Sequence, residues 1–273
     1  MVTKANCPPL SRVIGHRGAA ARAPENTLAG FRQAKELGCT AIEFDVRLTA
    51  DGVPVLCHDP TLDRTITGRG KVSAQPLAAV RECDAGIRFD RAFAGERVPT
   101  LEEAQLLAAE LGLVSNIEIK AERGREYATA AAVAATLARL RSRIGPVLVS
   151  SFLPDAIAAI RALAPDVPRA LLFRVIPRGW AQMALQLGCA AIGADHRRLR
   201  PSRIAAIRAA GYPLLAYTVN EAARARLLFG WGVTSVFSDA PDIILRESTG
   251  DRPACYETPV ARPAAVPRQG AVG

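Results

Sequence analysis

The chain is predicted to be an α/β protein, folded as a (β/α)8 barrel (TIM barrel) with a small insertion after the second strand. Three observations predict this. Eight short apolar runs alternate with Ala-, Leu- and Arg-rich stretches of helical length, the pattern of parallel strands joined by amphipathic crossover helices. The 273 residues accommodate eight such units in the roughly 250 residues typical of a barrel domain. No glycine-rich dinucleotide fingerprint follows the first run, which argues against a doubly wound open sheet.

The elements follow in order. A first strand is expected at 12–15 (RVIG), then a helix at 26–38 opened by Pro24-Glu25-Asn26-Thr27, where Asn26 or Thr27 can serve as N-cap. The second strand is expected at 41–46 (AIEFDV). The Asp51-Gly52 pair signals a hairpin into a short extra strand at 53–58 (VPVLCH). Residues 60–98 hold many turn formers and no clear long helix. They are expected as an insertion on the loop after the second strand, the face on which barrels carry their active sites. A helix at 100–112 leads into the third barrel strand at 114–119. Strands are then expected at 146–150, 169–174, 190–194, 213–218 and 234–237, with helices at 125–143, 154–164, 178–188, 201–211 and 220–231. The barrel domain spans 10–248. Residues 249–273, rich in Pro, Ala, Arg and Gly, are expected to form a disordered tail.

Bulk properties exclude several function classes. The net charge of +9 is carried mostly by arginine, the lysines being only Lys4, Lys35, Lys71 and Lys120. The arginines spread along helical stretches with few aromatics among them, so nucleic-acid binding is not indicated, although attraction of anionic substrates is a consequence of such a charge. The six cysteines are scattered without a C-x-x-C pair, which indicates neither a disulfide scaffold nor a zinc site. No apolar run is long enough for a membrane span, and the first residues lack the apolar core of a secretory signal. A cytoplasmic location is therefore expected. The oligomeric state is left open.

Chemistry concentrates in one segment. Glu43 and Asp45 are two apart on the second strand, so they share a face while Ile42 and Phe44 take the other. At the strand's C-terminal end they converge on the barrel mouth, where two buried carboxylates repel and call for a cation. All-oxygen ligands favour Mg2+, Ca2+ or Mn2+ over zinc. Exposed acids on an edge strand are the plainer reading, and the flanking apolar residues argue against it. On the third strand Glu118 and Lys120 repeat the i, i+2 spacing. Glu118 can supply a third carboxylate and Lys120 a positive charge for a phosphoryl oxygen, although alone such a pair is usually a surface ion pair. His16, Arg17 and Gly18 end the first strand. The planar fork of Arg17 suits phosphate, and a histidine suits proton transfer near neutral pH. His58 ends the hairpin extension, so two of the three histidines stand beside the acids. A lone histidine is more often structural. Two imidazoles around a phosphorus atom can divide deprotonation of the attacking oxygen and protonation of the leaving alcohol. Glu25 and Asn26, on the loop at the mouth, are candidates to steady Arg17 or His16. His196, after the sixth barrel strand, is a candidate pocket residue.

HRG, PENT, EFDV, HDPTLDR and IEIK occur in this order across residues 14–120, with AYTVN at 216–220 and GVTSVFSDAPD at 232–242. This series resembles the glycerophosphodiester phosphodiesterase family over roughly residues 12–245. The resemblance implies a metal-dependent barrel that hydrolyses glycerophosphodiesters to sn-glycerol 3-phosphate and an alcohol. It implies His16 and His58 as the acid–base pair, Glu43, Asp45 and Glu118 as metal ligands, and Arg17 and Lys120 as phosphate contacts. Two positions depart from the family pattern. Tyr217 stands where Trp is common, as a wall of the glycerol pocket whose hydroxyl can add a hydrogen bond. Ser238-Asp239-Ala240-Pro241 replaces a usual T-D-x-P, with Asp239 kept. The alternatives are a lysophospholipase D acting on lysophospholipids through an apolar entrance and, from a different class, a non-catalytic phosphodiester-binding barrel.

Overall fold

The computed structural model of the chain describes residues 7–247. The expected tail lies outside the described residues. Alternation of short strands with helices produces β1 (Val13–Gly15), α1 (Leu28–Glu36), β2 (Ala41–Leu48), β3 (Pro54–Leu56), α2 (Leu77–Arg81), α3 (Leu101–Glu110) and β4 (Val114–Ile119). There follow α4 (Glu126–Leu140), β5 (Val147–Ser151), α5 (Pro154–Leu163), β6 (Arg169–Phe173), α6 (Trp180–Gln186) and β7 (Ala191–Asp195). The order ends with α7 (Pro201–Ala209), β8 (Leu214–Tyr217), α8 (Ala222–Trp231), β9 (Ser235–Ser238) and α9 (Pro241–Glu247).

Eight strands pair in parallel in the ring β1-β2-β4-β5-β6-β7-β8-β9, and β9 closes back onto β1 at Val13↔Val236. The eight-stranded parallel (β/α)8 barrel is the fold. The extra strand β3 runs antiparallel to β2 at its C-terminal end, with Val46 opposite Leu56. The α1 helix begins two residues later than its sequence pattern suggests. Asn26 adopts a left-handed φ of 58° outside the helix, and Thr27 accepts from the Gly30 amide as N-cap. Thr100 and Glu103 form a capping box on α3, and prolines sit in the first turns of α5 and α7.

Strand alternation creates two separate cores. Outward residues Ile42, Phe44, Val46, Ile117 and Ile119 pack against Phe31 of α1, Leu101 and Leu107 of α3, and Val133 and Leu137 of α4. Inward residues Ile14, Ala41, Leu148, Ala170, Ala191, Leu215 and Phe237 plug the lower barrel. Above this apolar plug the same face of β2 and β4 carries Glu43, Asp45, Asn116 and Glu118, which sets the floor of the mouth. The stretch between β3 and α3 holds two short 3-10 turns and α2, and has its own small core of Val55, Leu62, Ile66, Val72, Val80 and Val98. Among the described residues no helix is long and apolar enough to cross a membrane. Five cysteines there are free. Burial pushes the Cys39 and Cys57 thiols up to about 12, which keeps them in the unreactive thiol form.

The turn after β1 requires its glycine. A Cβ on Gly15 would lie 2.1 Å from the Gly18 carbonyl oxygen, a backbone atom with little room to yield. Gly15→Ala is expected to destabilise the protein by about 3 kcal/mol or more, lowering Tm by roughly 10 °C in a thermal melt. A Tm within about 2 °C of the parent would contradict the tight-turn argument.

Candidate active site

The mouth is built first by register. In the β2–β4 pair Asp45 lies directly opposite Glu118, and Glu43 sits two residues below Asp45 on the same face. Glu43, Asp45 and Glu118 are all buried, and each offers a carboxylate oxygen within 4.8 Å of the others. Glu43 Oε1 and Asp45 Oδ1 are buried without a hydrogen-bond partner. Unpartnered buried carboxylate oxygens are costly. Together with the Glu118 carboxylate, they make a group of three close acidic side chains that could hold a hard divalent cation. These residues fit a metal on this structural ground.

Their electrostatics follow from crowding. Burial, followed by repulsion from Asp45 and Glu118, pushes the Glu43 carboxyl well above its ordinary value. Burial raises Glu118 to about 7 against the pull of Lys120. Burial also acts to raise Asp45, but Lys120, Arg17 and His58, with a hydrogen bond from Asn26, outweigh it and hold it at about 2. Lys120 Nζ stands 2.6 Å from Glu118 and 3.4 Å from Asp45. With Arg17, which pairs with Asp45 through Nε at 3.4 Å, the five groups sum to one negative charge when all are ionised. A divalent ion would turn this into one positive charge, the complement of a phosphodiester monoanion.

The loop after β1 supplies His16 and Arg17. Arg17 has a left-handed φ of 52°, a conformation that costs a non-glycine residue free energy and recurs at functional sites. It brings the Arg17 amide to Glu43 Oε2 at 3.0 Å, while the guanidinium donates to Glu25 at 3.0 Å. His16 Nδ1 donates to Asp239 Oδ1 at 2.6 Å, which leaves Nε2 to face Glu43 at 3.7 Å. Asn220 holds Asp239 in turn, donating from its amide at 2.8 Å and accepting from the Asp239 backbone N–H at 2.9 Å. His58 is arranged in the same way, with Nδ1 donating to Asp59 Oδ1 at 2.8 Å. Arg64 also donates to Asp59, at 2.5 Å, and to both oxygens of Glu25. Burial, with Arg17 and Lys120 nearby, lowers the His58 pKa against the attraction of Asp45 and Asp59.

The structure brings His16, Arg17, Glu43, Asp45, Glu118 and Lys120 into contact and sets His58 at the same mouth. Glu25 pairs with Arg17, as expected. Asn26 instead braces Asp45, donating to its Oδ2 at 2.9 Å and accepting its backbone N–H at 3.0 Å. Tyr217 walls the cavity, but its hydroxyl donates to the Phe173 carbonyl at 2.7 Å and so is engaged within the barrel wall. His196 is turned to Arg224, which donates to its Nδ1 at 3.2 Å. Its neighbours Asp195, Arg197 and Arg198 line the cavity instead.

Sequence reasoning did not single out Asp59, Arg64, Asn220, Arg47 or the far wall. Arg47 donates to the carbonyls of His58 (2.7 and 3.0 Å) and Lys120 (2.8 Å), tying two mouth segments together. Its signal was present, since Glu43, Asp45 and Arg47 continue one alternation. The cavity itself has a volume of about 630 Å3 and runs from Arg17, His58, Glu118 and Lys120 to Phe152, Arg174, Asp195, Arg197, Arg198 and Tyr217.

Comparison with known proteins shows the family. The model of the glycerophosphoryl diester phosphodiesterase family matches residues 16–243. A glycerophosphodiester phosphodiesterase of Caldanaerobacter subterraneus subsp. tengcongensis is 33% identical over 238 residues, covering 85% of this chain and 96% of that protein. One from Bacillus subtilis is 31% identical over 260 residues, covering 87% of this chain and 86% of that protein. The structure of an Oleispira antarctica phosphodiesterase in complex with the product sn-glycerol-3-phosphate superposes with a TM-score of 0.84 at 36% identity, covering 87% of this chain and 96% of that one.

Proposed function

The chain belongs to the glycerophosphoryl diester phosphodiesterase family and is a phosphoric diester hydrolase, and on that premise we propose that it cleaves glycerophosphodiesters to sn-glycerol 3-phosphate and an alcohol, with His16 and His58 as its acid–base pair and Glu43, Asp45 and Glu118 as the seat of a divalent cation. One observation carries this reading. Two imidazoles, each oriented by a carboxylate at Nδ1, stand beside three mutually close buried carboxylates.

Arg17 and Lys120 bind the phosphate oxygens by charge-assisted hydrogen bonds. Their ion pairs to Glu25, Asp45 and Glu118 hold both side chains in place beforehand. A bound divalent ion supplies charge neutralisation at the phosphate and acidification of a hydroxyl.

The two histidines divide the proton traffic by environment. His58 has a lowered pKa and shares its carboxylate partner with Arg64, so it stands as a neutral base at pH 7. It takes the proton of the attacking oxygen at Nε2, whether that oxygen belongs to water or to the substrate's 2-hydroxyl, whose attack expels the alcohol and gives a cyclic phosphate that water then opens to sn-glycerol 3-phosphate. The Asp239 carboxylate, kept low by its hydrogen bond to His16 against the effect of burial, fixes the His16 ring with Nε2 toward Glu43. With His58 as the base, His16 donates the proton to the leaving alcohol.

The test is release of sn-glycerol 3-phosphate from glycerophosphoinositol, followed with a glycerol-3-phosphate dehydrogenase couple in the presence of Mg2+, Ca2+ or Mn2+. Turnover is expected with at least one ion, and the acid limb of kcat/KM is expected below pH ~6.5, the ordinary histidine value. The sign follows from the lowered pKa. The base form of His58 persists on acidification until the pH falls below that depressed value, and a bound cation would depress it further. Absence of turnover with all three ions, or release of glycerol and inositol phosphate, would overturn the proposal. An acid limb above pH ~7 would overturn the assignment of His58 as the base.

A further inference from the structure

We propose that Arg174 and Arg198, at the ends of β6 and β7, form a subsite for an anionic group on the leaving alcohol, so that the enzyme favours glycerophosphodiesters whose alcohol bears a second phosphate. The inference rests on the phosphodiesterase reading above and concerns the half of the cavity that reading does not use.

Position comes first. In the closed ring β7 lies opposite β2, and β6 lies opposite β1. The arginine wall therefore faces Glu118, Lys120 and Arg17 across the same 630 Å3 cavity. A volume of that size exceeds what a glycerophosphate fills and falls within the range of sites for larger ligands. With the scissile phosphate held at Arg17 and Lys120, the leaving alcohol extends toward β6 and β7.

Charge comes second. Arg197 is held by a bidentate pair to Asp195, with both contacts at 3.0 Å, which fixes it and neutralises its charge. Arg174 and Arg198 are exposed, line the cavity, and have no acidic partner within salt-bridge distance among the described residues. Two uncompensated guanidiniums at the rim attract an anion and repel a cation. The aromatic groups present do not offset this for a quaternary ammonium. The Phe152 ring already lies 5.5 Å from Lys120 Nζ and packs edge-on against Tyr217 at 5.5 Å. The Tyr217 hydroxyl is engaged by Phe173, so discrimination at this end falls to the arginines.

The experiment compares glycerophosphoinositol with glycerophosphoinositol 4-phosphate, which share one scissile diester and differ by one phosphate. The wild-type kcat/KM is expected to be about tenfold higher for the 4-phosphate at low salt, since each exposed arginine–anion contact contributes up to roughly fivefold. The ratio should fall toward one as salt screens the rim. It should also collapse in R174A/R198A and in R174Q/R198Q, the second pair preserving polarity and most of the bulk. A wild-type ratio near one, or a preference that survives in both double variants, overturns the inference and leaves the phosphodiesterase reading standing. Failure to hydrolyse either substrate overturns that reading itself.

Discussion

Replacing His16 or His58 by alanine is expected to lower kcat by about 10²–10⁴-fold, the range contributed by a positioned general acid or base, with little change in KM. The two imidazoles differ from ordinary surface histidines in that neither is free to choose its tautomer. Asp239 accepts a hydrogen bond from Nδ1 of His16, and Asp59 accepts one from Nδ1 of His58. Each Nε2 is left for the reacting oxygens. The same logic makes Asp239→Asn a second test. It leaves the volume unchanged but removes the carboxylate acceptor that fixes the ring. It is expected to slow turnover by about tenfold or more, chiefly in kcat, because the ring loses its fixed orientation. The measurement is steady-state release of sn-glycerol 3-phosphate, with circular dichroism as a check that the fold is kept. More than a tenth of the parental kcat in either alanine variant would remove the acid–base assignment.

The second large effect concerns the acid trio. Chelation is expected to abolish hydrolysis, and the accompanying stability change gives a readout independent of activity. Glu43 and Glu118 have raised pKa values in the fold, Glu118 reaching about 7. A carboxyl raised in the folded state contributes stability below its unfolded value near 4.5, and that contribution is lost as pH rises through the folded value. The metal-free protein should therefore lose Tm between about pH 4.5 and 7. Asp45, held at about 2, affects stability only in more acidic solution. A divalent ion at about a hundredfold excess over its Kd should restore about 2.7 kcal/mol, or roughly 5–10 °C in Tm. The ion should also flatten the pH slope and bind more tightly as pH rises, because it displaces protons. In Asp45→Asn the ion-dependent rise in Tm should disappear. A chelator-treated enzyme that remains fully active, or a parental Tm unmoved by Mg2+, Ca2+ or Mn2+, would refute the cation site.

How much of this was legible beforehand depends on the range of the signal. The barrel was legible because strand and helix periods are local, and each of the eight runs carries its own. The acids were legible for the same reason, since a two-residue spacing places Glu43 with Asp45 and Glu118 with Lys120 whatever the rest of the chain does. Asn26 was less so. As a helix-start residue it suits an N-cap, but its left-handed backbone hands that role to Thr27 and sends the amide to Asp45. His196 was placed at the mouth by strand-end position and Tyr217 by the family resemblance, yet their polar atoms turn to Arg224 and Phe173. Those partners belong to other elements, so no local pattern announces them.

By itself the sequence determined the parallel α/β architecture, the inward set of acids and the concentration of histidines beside them, because these depend on periodicities of two and about 3.6 residues. Only the tertiary structure decided which groups touch. Closure of β9 onto β1 joins His16 to Asp239 across 223 residues, the β2–β4 register sets Asp45 against Glu118, and the ring order brings the arginines of β6 and β7 to face Glu118, Lys120 and Arg17. The physical reason is that side-chain direction is settled within a strand, whereas partner, distance and charge balance are settled between strands, by register and barrel closure that no single segment encodes.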